Sequence, residues 1–167
     1  FPFGARFAPD GTLIVPTIED PMGAATGSVS TYNVSNSGTV SLIETESTNG
    51  ALPCWVATTP DGEHTYILNT GAGSPTDPVP SIAGFDLAGN GGLSFLGLTQ
   101  SPEDFAETDL DISIDGKYLY VLAPQVGPGA PSHIDQYKIR SNGNLKSLGQ
   151  TPAGADLGIG ASGLAAV

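Results

Sequence analysis

The sequence is poor in cationic side chains, which limits the partners that it can bind. Five Lys and Arg residues stand against 17 Asp and Glu residues, giving a formal net charge of −12. Binding to nucleic acid or to an anionic membrane surface needs clustered cations that neutralise phosphates. The composition therefore argues against both partners, and its simplest consequence is solubility.

Cysteine and histidine are also scarce. The single cysteine, Cys54, excludes an internal disulfide and a Cys-based zinc site. It lies in the apolar run Pro53–Ala57, which predicts a buried thiol. The two histidines, His64 and His133, have no companion at metal-ligand spacing. The pattern predicts no metal site from these residue types.

Long apolar runs are absent as well. None approaches the roughly 18 residues of a transmembrane helix. The sequence begins without Met or a signal peptide, so we expect a removed leader or a longer parent chain. Few Lys residues, abundant Ser, Thr, Gly and Pro, and a glycosylation sequon at Asn33 favour a secreted or extracytoplasmic protein.

What the sequence does contain is an internal repeat. Asp-Gly occurs three times, about 50 residues apart, at Asp10-Gly11, Asp61-Gly62 and Asp115-Gly116. Each dipeptide follows an apolar or Thr- and Ser-rich run and precedes a β-rich run. Asp-Gly between two such runs is a strong signal for a tight β-hairpin.

The second half of each unit repeats too. An aromatic residue is followed eight positions later by an aliphatic one, in the pairs Tyr32 and Val40, Phe85 and Leu93, and Tyr137 and Leu145. A polar turn ending in Gly separates the members of each pair. The constant spacing predicts a second hairpin in fixed register, with the aromatic residue in the core.

These two hairpins define the predicted fold class, an all-β propeller whose blades have four antiparallel strands, A to D. We expect one domain, 1–167, with blades at about 2–48, 49–104 and 105–152 and one extra inner, closing strand at 161–167. A solenoid or a sandwich is the alternative all-β architecture. Helices should be nearly absent, because no window shows a sustained helical period.

Several segments resemble one family. The motif Asp115-Gly116-Lys117 followed by Tyr118–Leu122 resembles YVTN-type repeats. The other matching segments are Pro2-Phe3-Gly4, Cys54–Gly62, Tyr66–Gly71 and Gly160–Ala166. Together they resemble the C-terminal half of lactonase-family seven-bladed propellers, which include 6-phosphogluconolactonases and carboxymuconate cycloisomerases. The resemblance implies that a missing N-terminal half, or another copy of the chain, completes the ring.

The long B–C and D–A loops are expected on one face of the ring. The pattern places them at 19–27, 70–80 and 124–132 and at 46–53, 99–108 and 151–160. They carry no Lys or Arg and eight acidic residues: Glu19, Asp20, Glu46, Asp77, Glu103, Asp104, Glu107 and Asp156. Solvated loop acids need no cofactor, and a Ca²⁺ site is the alternative.

The candidate catalytic groups lie on the inner strands. Asp109 and Asp111 alternate along strand A, so both should point the same way. Asp111 and Arg6 occupy equivalent positions before their Asp-Gly turns and could meet at the central channel, with Asp109 as a candidate for substrate binding beside them. A carboxylate near an Arg could hold or polarise a lactone carbonyl, with a carboxylate as general base. The alternative is an inter-blade salt bridge or a capped strand end.

Three further residues complete the candidates. His133 opens strand C near the long loops and is a third candidate catalytic residue, whereas His64 is expected to be a surface residue. Trp55 is a candidate for substrate binding through sugar stacking, or a packing residue between blades.

The sequence leaves two functions open. One is hydrolysis or isomerisation of a small lactone or sugar acid, which rests on the family resemblance. The other is a non-catalytic secreted propeller that serves as a binding or assembly module.

Overall fold

The computed structural model describes residues 1–19, 26–71, 79–102, 107–124, 132–153 and 163–166. These residues form twelve β-strands and no helix. The described part therefore holds no helix that is long and apolar enough to cross a membrane.

The strands form three four-stranded antiparallel sheets, in each of which neighbours in sequence are neighbours in space. Blade 1 contains β1 (Arg6–Phe7), β2 (Leu13–Ile18), β3 (Thr26–Val34) and β4 (Val40–Ala51). Blade 2 contains β5 (Pro53–Thr58), β6 (His64–Asn69), β7 (Ser81–Leu87) and β8 (Leu93–Gln100). Blade 3 contains β9 (Asp109–Ile112), β10 (Tyr118–Ala123), β11 (His133–Ile139) and β12 (Leu145–Pro152). The predicted all-β fold of four-stranded propeller blades is confirmed.

The Asp-Gly dipeptides form the predicted hairpin turns between the first two strands of each blade. Gly11, Gly62 and Gly116 have φ angles of 91°, 77° and 70°, which glycine adopts without steric cost. Each Asp side chain accepts a backbone N–H two residues further on, as Asp115 does from Lys117 at 3.1 Å. The Asp residues thus stabilise their own turns.

The second hairpin of every blade carries a β-bulge directly before the recurring aromatic residue. Tyr32 pairs with Leu42, whereas Thr31 pairs with Glu44, so one residue of β4 has no paired residue on β3. The same shift occurs before Phe85 and before Tyr137. The extra residues are Ile43, Leu96 and Leu148. A bulge increases the local twist of a strand, and this one repeats at the same point in each blade.

Alternate residues of the middle blade face opposite neighbours. On β6, Ile67 packs with Ile14 and Val29 of blade 1, in a core that includes Phe85. The next residue, Leu68, belongs to the core that blade 2 forms with blade 3. Because side chains on a strand alternate between faces, β6 contributes to both interfaces.

Hydrogen bonds to glycine carbonyls reinforce both interfaces. The Thr31 hydroxyl of blade 1 donates to the carbonyl of Gly91 in blade 2 at 2.6 Å. The Tyr66 hydroxyl of blade 2 donates to the carbonyl of Gly143 in blade 3 at 2.8 Å. Blade 1 thus contacts the β7–β8 turn of blade 2, and blade 2 contacts the β11–β12 turn of blade 3. Burial, and then the charges of Asp86 and Asp61, raise the pKa of Tyr66.

Two local expectations are wrong. His64 was expected at the surface, but its side chain is only 12% exposed, and its Nδ1 lies 2.9 Å from Oδ1 of Asp86. Residues 46–53 were expected to form a D–A loop, but β4 extends to Ala51 and β5 begins at Pro53. Only Leu52 separates these strands, with a φ of 54°.

The described residues of the predicted closing strand at 161–167, residues 163–166, lie outside the twelve strands, and the strand stays a prediction. Asp109 and Asp111 of β9 bind the backbone of this terminal segment.

Replacing Gly143 with alanine should weaken the contact between blades 2 and 3. Gly143 has a φ of 73°, and a Cβ there would lie 2.5 Å from Leu96 and 2.8 Å from His64. We expect Gly143→Ala to lower the free energy of unfolding by about 3 kcal/mol, from strain and overpacking combined. Denaturant titration of both proteins measures this difference.

Gly38→Ala is the matched control, because Gly38 ends the equivalent turn of blade 1 with a φ of 80° and open space around its Cβ position. It should lose only about 1 kcal/mol, the cost of the left-handed backbone. Equal losses in the two variants would show that the close inter-blade approach contributes nothing.

The raised pKa of Tyr66 predicts a stability change at alkaline pH. Tyr66 stays neutral in the folded protein, whereas an exposed tyrosine in the unfolded chain ionises near pH 10. The stabilisation is therefore complete below about pH 10 and is lost as the pH rises towards the folded-state pKa, at up to about 1.4 kcal/mol per pH unit. Tyr66→Phe should be less stable at neutral pH but should show a shallower decline above pH 10. Parallel declines would contradict this account.

Candidate functional site

The first strands of the blades lie side by side and line two cavities. One cavity, of about 290 Å³, is lined by residues that include Gly4, Arg6, Trp55, Asp109 and Leu164. The other, of about 400 Å³, shares Arg6 and is bordered by Asp111 and Ala166 as well. Arg6 therefore lies where the two cavities meet.

Arg6 and Asp111 come together, although they belong to blades 1 and 3. The guanidinium Nη1 of Arg6 lies 3.4 Å from Oδ1 of Asp111. The Arg6 side chain is 46% exposed, whereas that of Asp111 is 13% exposed. The carboxylate is thus held by the protein, while the guanidinium keeps donors that face the cavities.

Asp109 and Asp111 point the same way, as predicted, and both hold the terminal segment. Asp109 Oδ2 accepts the N–H of Leu164 at 2.7 Å, and Asp111 Oδ2 accepts that of Ala166 at 2.9 Å. The other oxygen of Asp109 accepts the N–H of Leu110 at 2.8 Å. N–H groups two residues apart in the terminal segment therefore bind carboxylates two residues apart on β9. Both oxygens of Asp109 accept hydrogen bonds, whereas Oδ1 of Asp111 accepts none from the described residues and faces Arg6.

Trp55 is half-buried, and its position is compatible with both roles considered for it, substrate stacking and packing between blades. It packs against the core between blades 2 and 3 and also borders the cavity beside Arg6. Its neighbour Cys54 accepts the N–H of Gly4 at 2.7 Å through its carbonyl. Burial raises the pKa of the Cys54 thiol, and the hydrogen bond with Thr70 opposes this rise. Cys54 is thus the buried thiol that the sequence predicted.

His133 does not join Arg6 and Asp111. It opens β11, where it is paired with Ala123 and Pro152. Because β10 lies between β11 and β9, His133 is two strand spacings, about 10 Å, from the strand that carries the carboxylates.

Few of the acidic loop residues can be compared in the structure. Among the described residues, no group of three His, Cys, Asp or Glu side chains comes together. Asp20, Asp77, Glu103, Asp104 and Asp156 lie outside the described residues. Of the remainder, Glu19 is exposed and Glu46 is half-buried. Glu107 is fully buried, which the expectation of solvated loop acids did not anticipate.

Glu107 belongs to a buried polar cluster at the junction of blades 2 and 3 that the sequence analysis missed. The Ser101 hydroxyl donates to Oε1 of Glu107 and lies 3.3 Å from Oδ2 of Asp135. Asp135 and Tyr137 are each only 1% exposed. The signal was available in the sequence, because Asp135 lies two residues before a core aromatic and therefore on the same face of its strand.

Two oxygen atoms of this cluster have no hydrogen-bond partner in the described part of the chain, Oδ1 of Asp135 and the hydroxyl of Tyr137. Burial, and then the charges of Glu107 and Asp135, raise the pKa of Tyr137, while the nearby Ser101 hydroxyl opposes the rise. The carboxylates therefore lie close to the phenol, in an environment without bulk water.

Comparison with known proteins shows the fold. No family model matches the sequence, and no curated protein matches it. The structure is similar to a protein from Lactobacillus plantarum, with a TM-score of 0.64 and 22% identity over 90% of this chain and 41% of that one. It is also similar to a functionally unknown protein from Desulfotomaculum acetoxidans, with a TM-score of 0.69 and 18% identity over 92% of this chain and 43% of that one.

A third solved structure with this fold is the periplasmic gluconolactonase of Pseudomonas aeruginosa. Its TM-score is 0.62 at 18% identity, over 92% of this chain and 58% of that one. The chain spans about half the length of these three structures. The chain is therefore a partial β-propeller, and it shares its fold with part of a gluconolactonase.

Proposed function

We propose that this chain is one half of a seven-bladed propeller that hydrolyses a small lactone, such as a sugar-acid lactone, at its central channel. The observation that carries the proposal is the half-exposed guanidinium of Arg6, which lies at both channel cavities and is held by Asp111. The fold shared with a gluconolactonase supports the class of substrate.

The chemistry of lactone hydrolysis suits an arginine at this place. Water adds to the carbonyl carbon, the bond from that carbon to the ring oxygen breaks, and the product is a hydroxy acid. Negative charge develops on the carbonyl oxygen and remains on the product carboxylate. A guanidinium presents paired N–H donors that match the two oxygens of the product carboxylate. It also stabilises the negative charge as it develops on the carbonyl oxygen.

Asp111 acts as a positioning residue in this proposal. Its Oδ1 lies beside Arg6, while its Oδ2 accepts a backbone N–H. These two contacts hold the carboxylate in place, so that it fixes the direction of the guanidinium. Asp109 is held as well, since both its oxygens accept backbone N–H groups. We therefore assign the carboxylates to orientation, and Trp55 to stacking against the ring of the substrate.

The general base must come from elsewhere. Histidine often serves as a general base, but a base must lie within hydrogen-bond reach of the attacking water or act through one further water. At about two strand spacings from β9, His133 does not reach Arg6 directly. We propose that the base is supplied by the remaining blades of the ring; His133, the candidate on this chain, would act only through a further water.

The remaining blades are also the proposed partner. Large apolar side chains are exposed on blades 1 and 3, among them Phe1, Phe3, Phe7, Ile114 and Leu148. Such surfaces are a liability for a protein in water unless another surface covers them. The rest of the propeller, or a second copy of the chain, would cover them and close the channel. We place the assembled protein outside the cytoplasm, as the periplasmic gluconolactonase of the same fold is.

One observation favours the second candidate function, a non-catalytic binding or assembly module. The two carboxylates of β9 already bind the terminal segment. In that case the Arg6–Asp111 pair would only join blades 1 and 3, as an inter-blade salt bridge.

Substitution of Arg6 separates the two functions. The complete protein should hydrolyse at least one member of a panel of sugar-acid lactones, measured as acid release at constant pH. We expect Arg6→Gln to lower kcat/KM by about 10²- to 10³-fold, the usual cost of one oxyanion donor. Arg6→Lys should retain part of the activity, because lysine keeps the positive charge but lacks the paired N–H donors of a guanidinium.

Arg140→Gln is the matched control. It removes the same charge from an exposed residue in a turn of blade 3, outside both channel cavities. It should leave kcat/KM unchanged. If no lactone of the panel were hydrolysed, the enzymatic proposal would be contradicted and the binding module favoured.

A further inference from the structure

We propose that the cluster of Ser101, Glu107, Asp135 and Tyr137 binds a hard divalent cation, of which Ca²⁺ fits best, at the junction of blades 2 and 3. The site is separate from the channel, since Asp135 and Tyr137 lie on β11 and face blade 2. It would join two blades through a shared ion.

The first argument is electrostatic. Asp135 is 1% exposed, and none of the chain's five Lys and Arg side chains, all of which are described, lies within ion-pair distance of it. Carboxylates are almost never fully buried unless a positive charge or a proton accompanies them. A cation would supply the charge that Asp135 lacks. Glu107, which is 0% exposed, is bound to the same Ser101 hydroxyl and brings a second carboxylate close to it.

The second argument is the orientation of the polar atoms. Oδ1 of Asp135 and the hydroxyl of Tyr137 are buried and have no hydrogen-bond partner among the described residues. Asp135 and Tyr137 are two positions apart on one strand, so both side chains point to the same side of the sheet. Buried oxygens normally find a partner, and a bound ion would satisfy both of them.

The third argument comes from the sister blades. At the place of Asp135, two residues before the core aromatic, blade 1 has Ser30 and blade 2 has Ala83, and both are buried. At the place of Glu107, eight residues before the Asp-Gly turn, both sister blades have proline, Pro2 and Pro53. The blade can therefore be built without either charge. Blade 3 has acquired two carboxylates at one buried point, which packing does not require.

The donor set selects the class of ion. The two carboxylates and two hydroxyls offer oxygen atoms only, and oxygen donors are preferred by Ca²⁺ and Mg²⁺. Ca²⁺ accepts six to eight oxygens in flexible geometry, including two from one carboxylate. Mg²⁺ keeps several of its waters, which a cluster of fully buried carboxylates does not favour.

The test is thermal unfolding of the complete protein in CaCl₂ and in EDTA, together with calorimetric titration of Ca²⁺ into the metal-free protein. At free Ca²⁺ about 100-fold above Kd, the midpoint of unfolding should rise by roughly 5 to 10 °C. The titration should show one saturable site per chain that Asp135→Asn removes. Asp135→Ala, which introduces the residue of blade 2, should fold and should also be insensitive to Ca²⁺.

Asp86→Asn is the control variant, because it removes the same charge from the third strand of blade 2, where the side chain is 52% exposed. It should keep the full response to Ca²⁺. An unfolding midpoint of the wild-type protein that is equal in CaCl₂ and EDTA would overturn the proposal, and the carboxyl groups would then share a proton. A Ca²⁺ response that survives in both Asp135 variants would overturn it as well.

Discussion

The structure depends on the requirement that each blade bury both faces of its sheet against neighbours. A four-stranded sheet with alternating side chains has no interior of its own, so its stability comes from the adjacent blades. Blade 2 meets this requirement on both sides, with Ile67 facing blade 1 and Leu68 facing blade 3. Blades 1 and 3 meet it on one side only and expose apolar side chains such as Phe7 and Ile114. This constraint explains the close approach of Gly143 to its neighbours, and it is the reason for proposing a partner at the open ends.

The same constraint sets the chemistry of the inner strands. Packing of the blades brings β1, β5 and β9 side by side, and it thereby places Arg6 of blade 1 beside Asp111 of blade 3. The middle blade has Ala57, which is fully buried, at the equivalent position and adds no charge there. An ion pair with a half-exposed partner contributes little to stability. Its value lies in directing the guanidinium towards the cavities, which is why Arg6 rather than Asp111 carries the proposed function.

Local features of the fold could be predicted from the sequence, and features that need two blades could not. The Asp-Gly turns depend on one dipeptide and its own backbone, and the spacing of eight fixes a hairpin register within one blade. By contrast, His64 was placed at the surface because its contacts with Asp86 and the turn at Gly143 are invisible in a linear pattern. The hydrogen bonds from the terminal segment to Asp109 and Asp111 could not be predicted either, because they join residues 55 positions apart. For the buried cluster, the strand pattern indicates only that Asp135 is buried, because Ser101, Glu107 and Asp135 meet only when blades 2 and 3 pack.

In a repeat protein, comparison of the repeats shows which residues the packing of the fold requires. Where the three blades agree, as in the Asp-Gly turns and the bulge before each aromatic residue, the common feature belongs to the architecture. Where one blade departs from the others, the architecture does not explain the residue. Blade 3 differs from the other two blades at Asp135 and Glu107, where it has charged residues and they have Ala, Ser or Pro. A buried charge costs free energy unless something compensates it. Such departures are therefore the places where a ligand or a reaction is to be sought, and in this chain they concentrate in the blade that also carries Asp111.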